Sequence, residues 1–144
     1  MAYKLFVDTN VYLDLLMQRG TDTTNIKALF MLAEAGTITI YTSASSMLNI
    51  MYVMGAYKLD RKEILNAANA ILSYTRLVNP DNITFEIALA SKFTDMEDAV
   101  QYYTALEINE VHYFITSNIK DYKHALPHLP VITPTSFMKI YKAE

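Results

Sequence analysis

Short runs of β-branched and aromatic residues alternate with stretches of helical periodicity along the whole chain. That alternation is the feature that most narrows the possible folds. Strand–helix–strand units join parallel strands, and helices then cover both faces of the sheet. The first strand is read at residues 4–7, where Leu5, Phe6 and Val7 form an unbroken apolar run suited to a buried parallel strand. Further strands are read at 37–41, 76–78 and 111–116, each rich in residues that favour a pleated surface. Residues 129–132 give a short strand at most, because Pro130 suits only an edge or a start. The expectation is one α/β domain over residues 1–144 with a mainly parallel sheet of four or five strands.

Helix ends are marked by ordinary local chemistry. A first helix is read over 11–17, closed by Arg19 and Gly20, and a second starts after Asp22 or Thr23 and stops at Gly36. A third starts from Thr42 and Ser43 and stops near Gly55. Asp60 with Glu63, and Thr94 with Glu97, have the spacing of capping boxes; the second pair opens a helix from Asp95 to about Glu107. One more helix is read over 83–92, and only a helical turn at Phe137 and Met138.

Composition excludes several classes. The 144 residues are 52% hydrophobic, enough for one proper core. Cysteine is absent, so disulfides and thiolate metal sites are ruled out, which fits a cytoplasmic protein. Signal-peptide patterning is not seen at the N-terminus, and charged and polar residues interrupt every apolar run before membrane length. The net charge of −3 argues against strong non-specific nucleic-acid binding. It does not argue against an acidic metal site, whose cations invert the local charge.

Polar groups gather where strands end: Asp8, Thr9 and Asn10, then Thr42 and Ser43, then Ser117 and Asn118 with Asp121. In open α/β sheets ligands bind just beyond the carboxyl ends of the strands. Asp95, Glu97 and Asp98 cluster at a helix start, with Asp95 and Asp98 on one face. Carboxylates from several strand ends suit a hard divalent cation. Each acid also has a plain alternative. Asp8, Thr9 and Asn10 are good caps, Asp95, Glu97 and Asp98 favour a helix N-terminus, and Asp121 suits a turn. His112, His124 and His128 are scattered and read as structural, and Met47, Met51 and Met54 as core filling.

The stretches LFVDTNVYLDLL, DMEDAVQYYTALE, YFITSNIKDY and LPVITPTSFM together resemble the PIN-domain ribonucleases, especially the VapC-type toxins. The resemblance covers essentially the whole chain. It implies a three-layer α/β/α sandwich and an acidic pocket for Mg²⁺ or Mn²⁺. It further implies hydrolysis of RNA, an antitoxin protein as partner and a homodimer. By position, Asp8 matches the first-strand acid, Asp98 the acid of the central helix, and Asn118 with Asp121 the T-x-N-x-x-D stretch. Asp95 lies beside this group. Thr9, Asn10 and Ser117 then fall among the substrate contacts. Asn49 stands where the family usually presents an acid, so it brings a carbonyl oxygen without charge; Asp14 compensates only if its helix faces the pocket.

Other readings stay open. A PIN-like fold with little activity that binds RNA or a protein partner agrees with Asn49 and the net charge. A receiver-like phosphoacceptor domain would need further acids just before the first helix and a lysine after a late strand. A haloacid-dehalogenase-type phosphatase would need an aspartate at position 10, where Asn10 stands.

Overall fold

A computed structural model of the chain describes residues 2–144. Its elements run β1 (Lys4–Val7), α1 (Thr9–Leu16), α2 (Thr23–Glu34), β2 (Thr39–Ser43), α3 (Ala44–Ala56), α4 (Arg61–Tyr74) and β3 (Thr75–Val78). There follow α5 (Asn82–Ala90), α6 (Met96–Leu106), β4 (Tyr113–Ile115), a 3₁₀ turn (Ile119–Tyr122), β5 (Val131–Ile132) and α7 (Pro134–Lys142). The strands form one sheet in the order β3-β2-β1-β4-β5, parallel at every pairing. The architecture is the expected α/β/α sandwich.

β1 is the central strand, and its side chains alternate between the two faces. Leu5 and Val7 enter a core shared with α1, α2, α3, α4 and α7, while Phe6 enters a second core with α5, α6 and Tyr122. All three are fully buried, each contributing about 1.5–3 kcal/mol. From β1 the chain winds outward to β2 and β3 on one side, then returns to lay β4 and β5 on the other. The switch between these directions falls between β1 and β4, where doubly wound sheets open a crevice at their carboxyl ends.

Several local features differ from the sequence reading. β2 begins two residues later than expected because Gly36 and Thr37 are committed to closing α2. Gly36 adopts φ +76°, its N–H donates to Ala33 O, and the Thr37 N–H donates to Leu32 O. α3 ends at Ala56, beside Gly55 as read, but the left-handed position falls to Lys58 at φ +61°, with its N–H on Gly55 O and the Leu59 N–H on Met54 O. The terminal helix is nine residues long, capped by Thr133, whose side chain accepts the Ser136 N–H. α1 buries Val11, Tyr12 and Leu13 in the core and so offers none of them to a partner. Among the described residues no helix is long and apolar enough to cross a membrane.

Lys58 is exposed and carries a backbone conformation that costs an L-residue about 1–2 kcal/mol. Lys58→Gly is expected to stabilise the protein by about 1 kcal/mol, or roughly 2–4 °C in Tm. Differential scanning calorimetry checks this, and an unchanged or lower Tm counts against it.

Candidate metal centre

Asp8 follows β1 directly at the switch point. Its N–H donates to Ile115 O of β4 at 2.9 Å, which pins the two strand ends together. The side chain is 3% exposed and makes no cap bond to α1. It takes three side-chain donors instead. Gln101 Nε2 on α6 lies 3.0 Å from Oδ1. Thr116 Oγ1, just past β4, lies 2.8 Å from Oδ2, and the Tyr122 hydroxyl 3.0 Å from the same oxygen. Burial pushes the Asp8 carboxyl above the usual range, and the donors offset this only in part.

A buried polar relay stands behind Asp8. Gln101 Oε1 accepts from Ser46 Oγ at 3.0 Å and from Thr9 Oγ1 at 3.4 Å, which turns the amide nitrogen toward Asp8. Ser46 Oγ also lies 3.0 Å from Ser43 Oγ. Thr9 is therefore held in the interior by Ser46 and Gln101, at 2.8 Å from the former.

Asp98 sits half-buried in the first turn of α6 with Oδ1 3.2 Å from the Tyr122 hydroxyl. One phenol proton cannot serve Asp8 and Asp98 together. Desolvation, then the charges of Asp8, Asp95 and Asp121, push the Asp98 carboxyl up to about 7, although the Tyr122 hydrogen bond opposes the rise. Near neutral pH Asp98 can thus carry the second proton that the shared contact needs.

The other expected residues are distributed around this pair. Asp95, not Thr94, caps α6: its Oδ1 accepts the Asp98 N–H at 2.9 Å. Asn118 Nδ2 donates to Asp121 Oδ2 at 2.7 Å on the exposed rim, and the Asn118 N–H donates to Thr116 Oγ1 at 3.1 Å. Asp121 touches neither Asp8 nor Asp98, but its charge acts on Asp98. Asn10 Oδ1 accepts the exposed Ser117 N–H at 3.3 Å, tying the β1 end to the β4 end. Asn49 Nδ2 lies 3.4 Å from Glu97 Oε1. Burial and the charges of Asp8 and Asp95 raise the Glu97 carboxyl. Asp14 does not compensate: it pairs with Arg19 Nε at 2.8 Å.

Sequence reasoning did not single out Gln101, Thr116, Tyr122 or Ser46, and it counted Glu97 in the acidic cluster without naming it a site residue. Gln101 did leave a signal, as a polar residue among Ala99, Tyr102 and Ala105 on the buried stripe of α6.

The donor chemistry fits a hard divalent cation. The carboxylates crowd together with no lysine or arginine paired to them; the ion pairs found among the described residues are Lys4–Glu110 and Arg19–Asp14. No three acidic or histidine side chains among the described residues form a ready-made ligand group. Mg²⁺ does not need one, since it commonly takes one or two carboxylates and keeps several waters. Asp8 and Asp98, both within reach of the Tyr122 hydroxyl, are the two carboxylates that could form such a pair.

Comparison with known proteins places this geometry in context. The PIN domain family model matches residues 4–120. The fold is similar to VapBC2 from Rickettsia felis bound to a promoter DNA fragment: TM-score 0.68, 17% identity, 90% of this chain and 98% of that one. A toxin–antitoxin complex from Klebsiella pneumoniae gives TM-score 0.65 and 24% identity over 90% and 97%. VapC20 of Mycobacterium tuberculosis, a Sarcin-Ricin loop cleaving toxin, gives TM-score 0.64 and 14% identity over 82% and 92%. At these identities the likeness is one of fold. No curated protein matches the chain in sequence.

The raised Asp98 carboxyl fixes a pH dependence. Between its ordinary 3.8 and about 7 the native state holds a proton that the unfolded state has released. Stability therefore falls as pH rises through that window. In EDTA, the Tm of the wild type is expected to drop more steeply between about pH 5 and about pH 8 than that of Asp98→Asn. Parallel slopes in thermal melts would show that Asp98 keeps an ordinary carboxyl.

Proposed function

The chain belongs to the PIN-domain family, and on that premise we propose that it is a divalent-cation-dependent endoribonuclease, the toxin of a toxin–antitoxin pair. The observation that carries the reading is the convergence of Asp8 and Asp98 on one hydroxyl at the β1–β4 switch point. Asp8 and Asp98 would hold Mg²⁺ or Mn²⁺, with Asp121, Asn118, Asp95 and Asn49 around them. A bound divalent cation supplies charge for the phosphate and a water of lowered pKa.

The chain's own residues supply position. Gln101 and Thr116 fix the Asp8 carboxylate, and the relay through Ser46 and Thr9 fixes Gln101. Asn10 ties the β1 end to Ser117, keeping both loops at the pocket mouth where an RNA strand would pass. In the metal-free protein the Asp98 carboxyl is raised to about 7, so binding of a cation near neutral pH would release a proton from it.

The test is cleavage of RNA by purified protein with Mn²⁺. Asp8→Asn and Asp98→Asn should each lower the rate by at least ~100-fold, since even outer partners of a metal site cost about 10–100-fold. EDTA should abolish cleavage. Persistence in excess EDTA or in the Asp98 variant would refute the mechanism. RNA binding without cleavage at any Mn²⁺ concentration would favour the second reading, a binding protein of PIN fold; Asn49 in place of an acid supports it.

The partner surfaces are apolar. α3 exposes Leu48 and Tyr52, and α5 exposes Ile83, Phe85, Ile87 and Leu89. Contiguous exposed apolar surface marks interfaces, and two-fold dimers are the commonest oligomer. The protein is expected to be a homodimer, with the remaining apolar face open to an antitoxin. Light scattering should give twice the chain mass, and Ile83→Glu with Leu89→Glu should halve it. A monomeric wild type at high concentration would contradict this.

A further inference from the structure

Tyr122 lies in an aromatic cluster in which a phenylalanine would pack equally well. Its ring centroid is 4.8 Å from that of Phe114, 5.9 Å from Phe93 and 6.4 Å from Tyr102. The residue is 3% exposed. Its hydroxyl nonetheless sits between two carboxylates that come from opposite sides of the crevice, one ending β1 and one opening α6. Like charges repel, so nothing intrinsic to Asp8 and Asp98 keeps them together. Asp8 has other anchors in Gln101 and Thr116. Asp98 has only this hydroxyl as a side-chain partner among the described residues.

We propose that Tyr122 is a positioning residue of the acidic centre: its hydroxyl, within hydrogen-bond reach of both carboxylates, limits how far Asp98 Oδ1 can move from Asp8 and leaves Asp98 Oδ2 for a divalent cation. The inference rests on the reading that Asp8 and Asp98 hold that cation. An ordinary phenol keeps its proton well above neutral pH, so the Tyr122 hydroxyl is available as a donor. A hydroxyl that only satisfied the buried Asp8 would matter for stability alone. A positioning hydroxyl also sets cation affinity, because Asp98 can swing away from Asp8 when it is lost.

The experiment is Mn²⁺ titration calorimetry on four metal-stripped proteins, with thermal melts in EDTA as the folding control. Wild type should bind Mn²⁺ and Asp98→Asn should not. Tyr122→Phe, which keeps the ring, should melt as a folded protein and bind Mn²⁺ about 10–100-fold more weakly. Asp98→Glu keeps the charge but carries the carboxylate past the hydroxyl, and it should weaken binding to a similar degree. At saturating Mn²⁺, the KM of Tyr122→Phe for RNA should stay at the wild-type value, which a general packing defect would not allow. An Mn²⁺ Kd within twofold of wild type, or tighter, in folded Tyr122→Phe overturns the proposal. So does wild-type affinity in Asp98→Glu, which serves alone if Tyr122→Phe does not fold. Equal Mn²⁺ binding by wild type and Asp98→Asn overturns the cation reading itself.

Discussion

A carboxylate that ends a buried central strand must find donors inside the protein, because water cannot reach it. Asp8 meets this demand with Gln101 from α6, Thr116 from the end of β4 and Tyr122 from the 3₁₀ turn. All three donors lie at least 93 residues from Asp8 in sequence. Their position around β1 is thus set by one side chain as well as by apolar packing. Removing a donor would leave a buried acceptor short of a partner, at about 1–3 kcal/mol. The same bonds that keep Asp8 inside the fold also fix the direction in which its remaining lone pairs point.

The carboxylates around Asp8 work against the fold in the absence of a cation. Asp98, Glu97 and Asp8 are each raised, first by burial and, for Asp98 and Glu97, then by neighbouring acids. A protein selected for stability alone would place a lysine or arginine among them. The basic residues near this edge, Lys120 and Lys123, are exposed on the outside of the 3₁₀ turn and pair with none of these acids. Strain of this kind belongs to sites whose charge is balanced by something bound.

The sheet, the strand ends and most caps were legible because they follow from local chemistry. Asp60 caps α4 in a capping box with Glu63, as its spacing predicts. Asp8 was legible because an acid closing an apolar strand has few reasons to be there. Gln101 and Tyr122 were not, because each lies in a stretch whose periodicity is fully explained by packing. Only the fold shows that one amide and one hydroxyl turn inward to a carboxylate. Position 94 was misread because threonine and aspartate cap equally well, and the choice between Thr94 and Asp95 depends on where the chain enters α6. The left-handed position after α3 falls to Lys58, two residues before Asp60 caps the start of α4.

Asn49 shows how far the same logic extends. Its amide nitrogen reaches Glu97 Oε1 on α6, and the charge of Asp8 is felt at Glu97. α3 therefore contributes no charge to the centre, but it holds one in place. Moving a carboxylate from α3 to the first turn of α6 keeps the number of acids around Asp8 and brings the new one under the helix dipole, which favours negative charge. The amide adds a donor that a second acid would lack. A glutamate beside an asparagine is then cheaper to bury than two facing carboxylates, and it leaves the pocket acidic. The departure at position 49 is compatible with a cation site, provided that α6 rather than α3 carries the fourth charge.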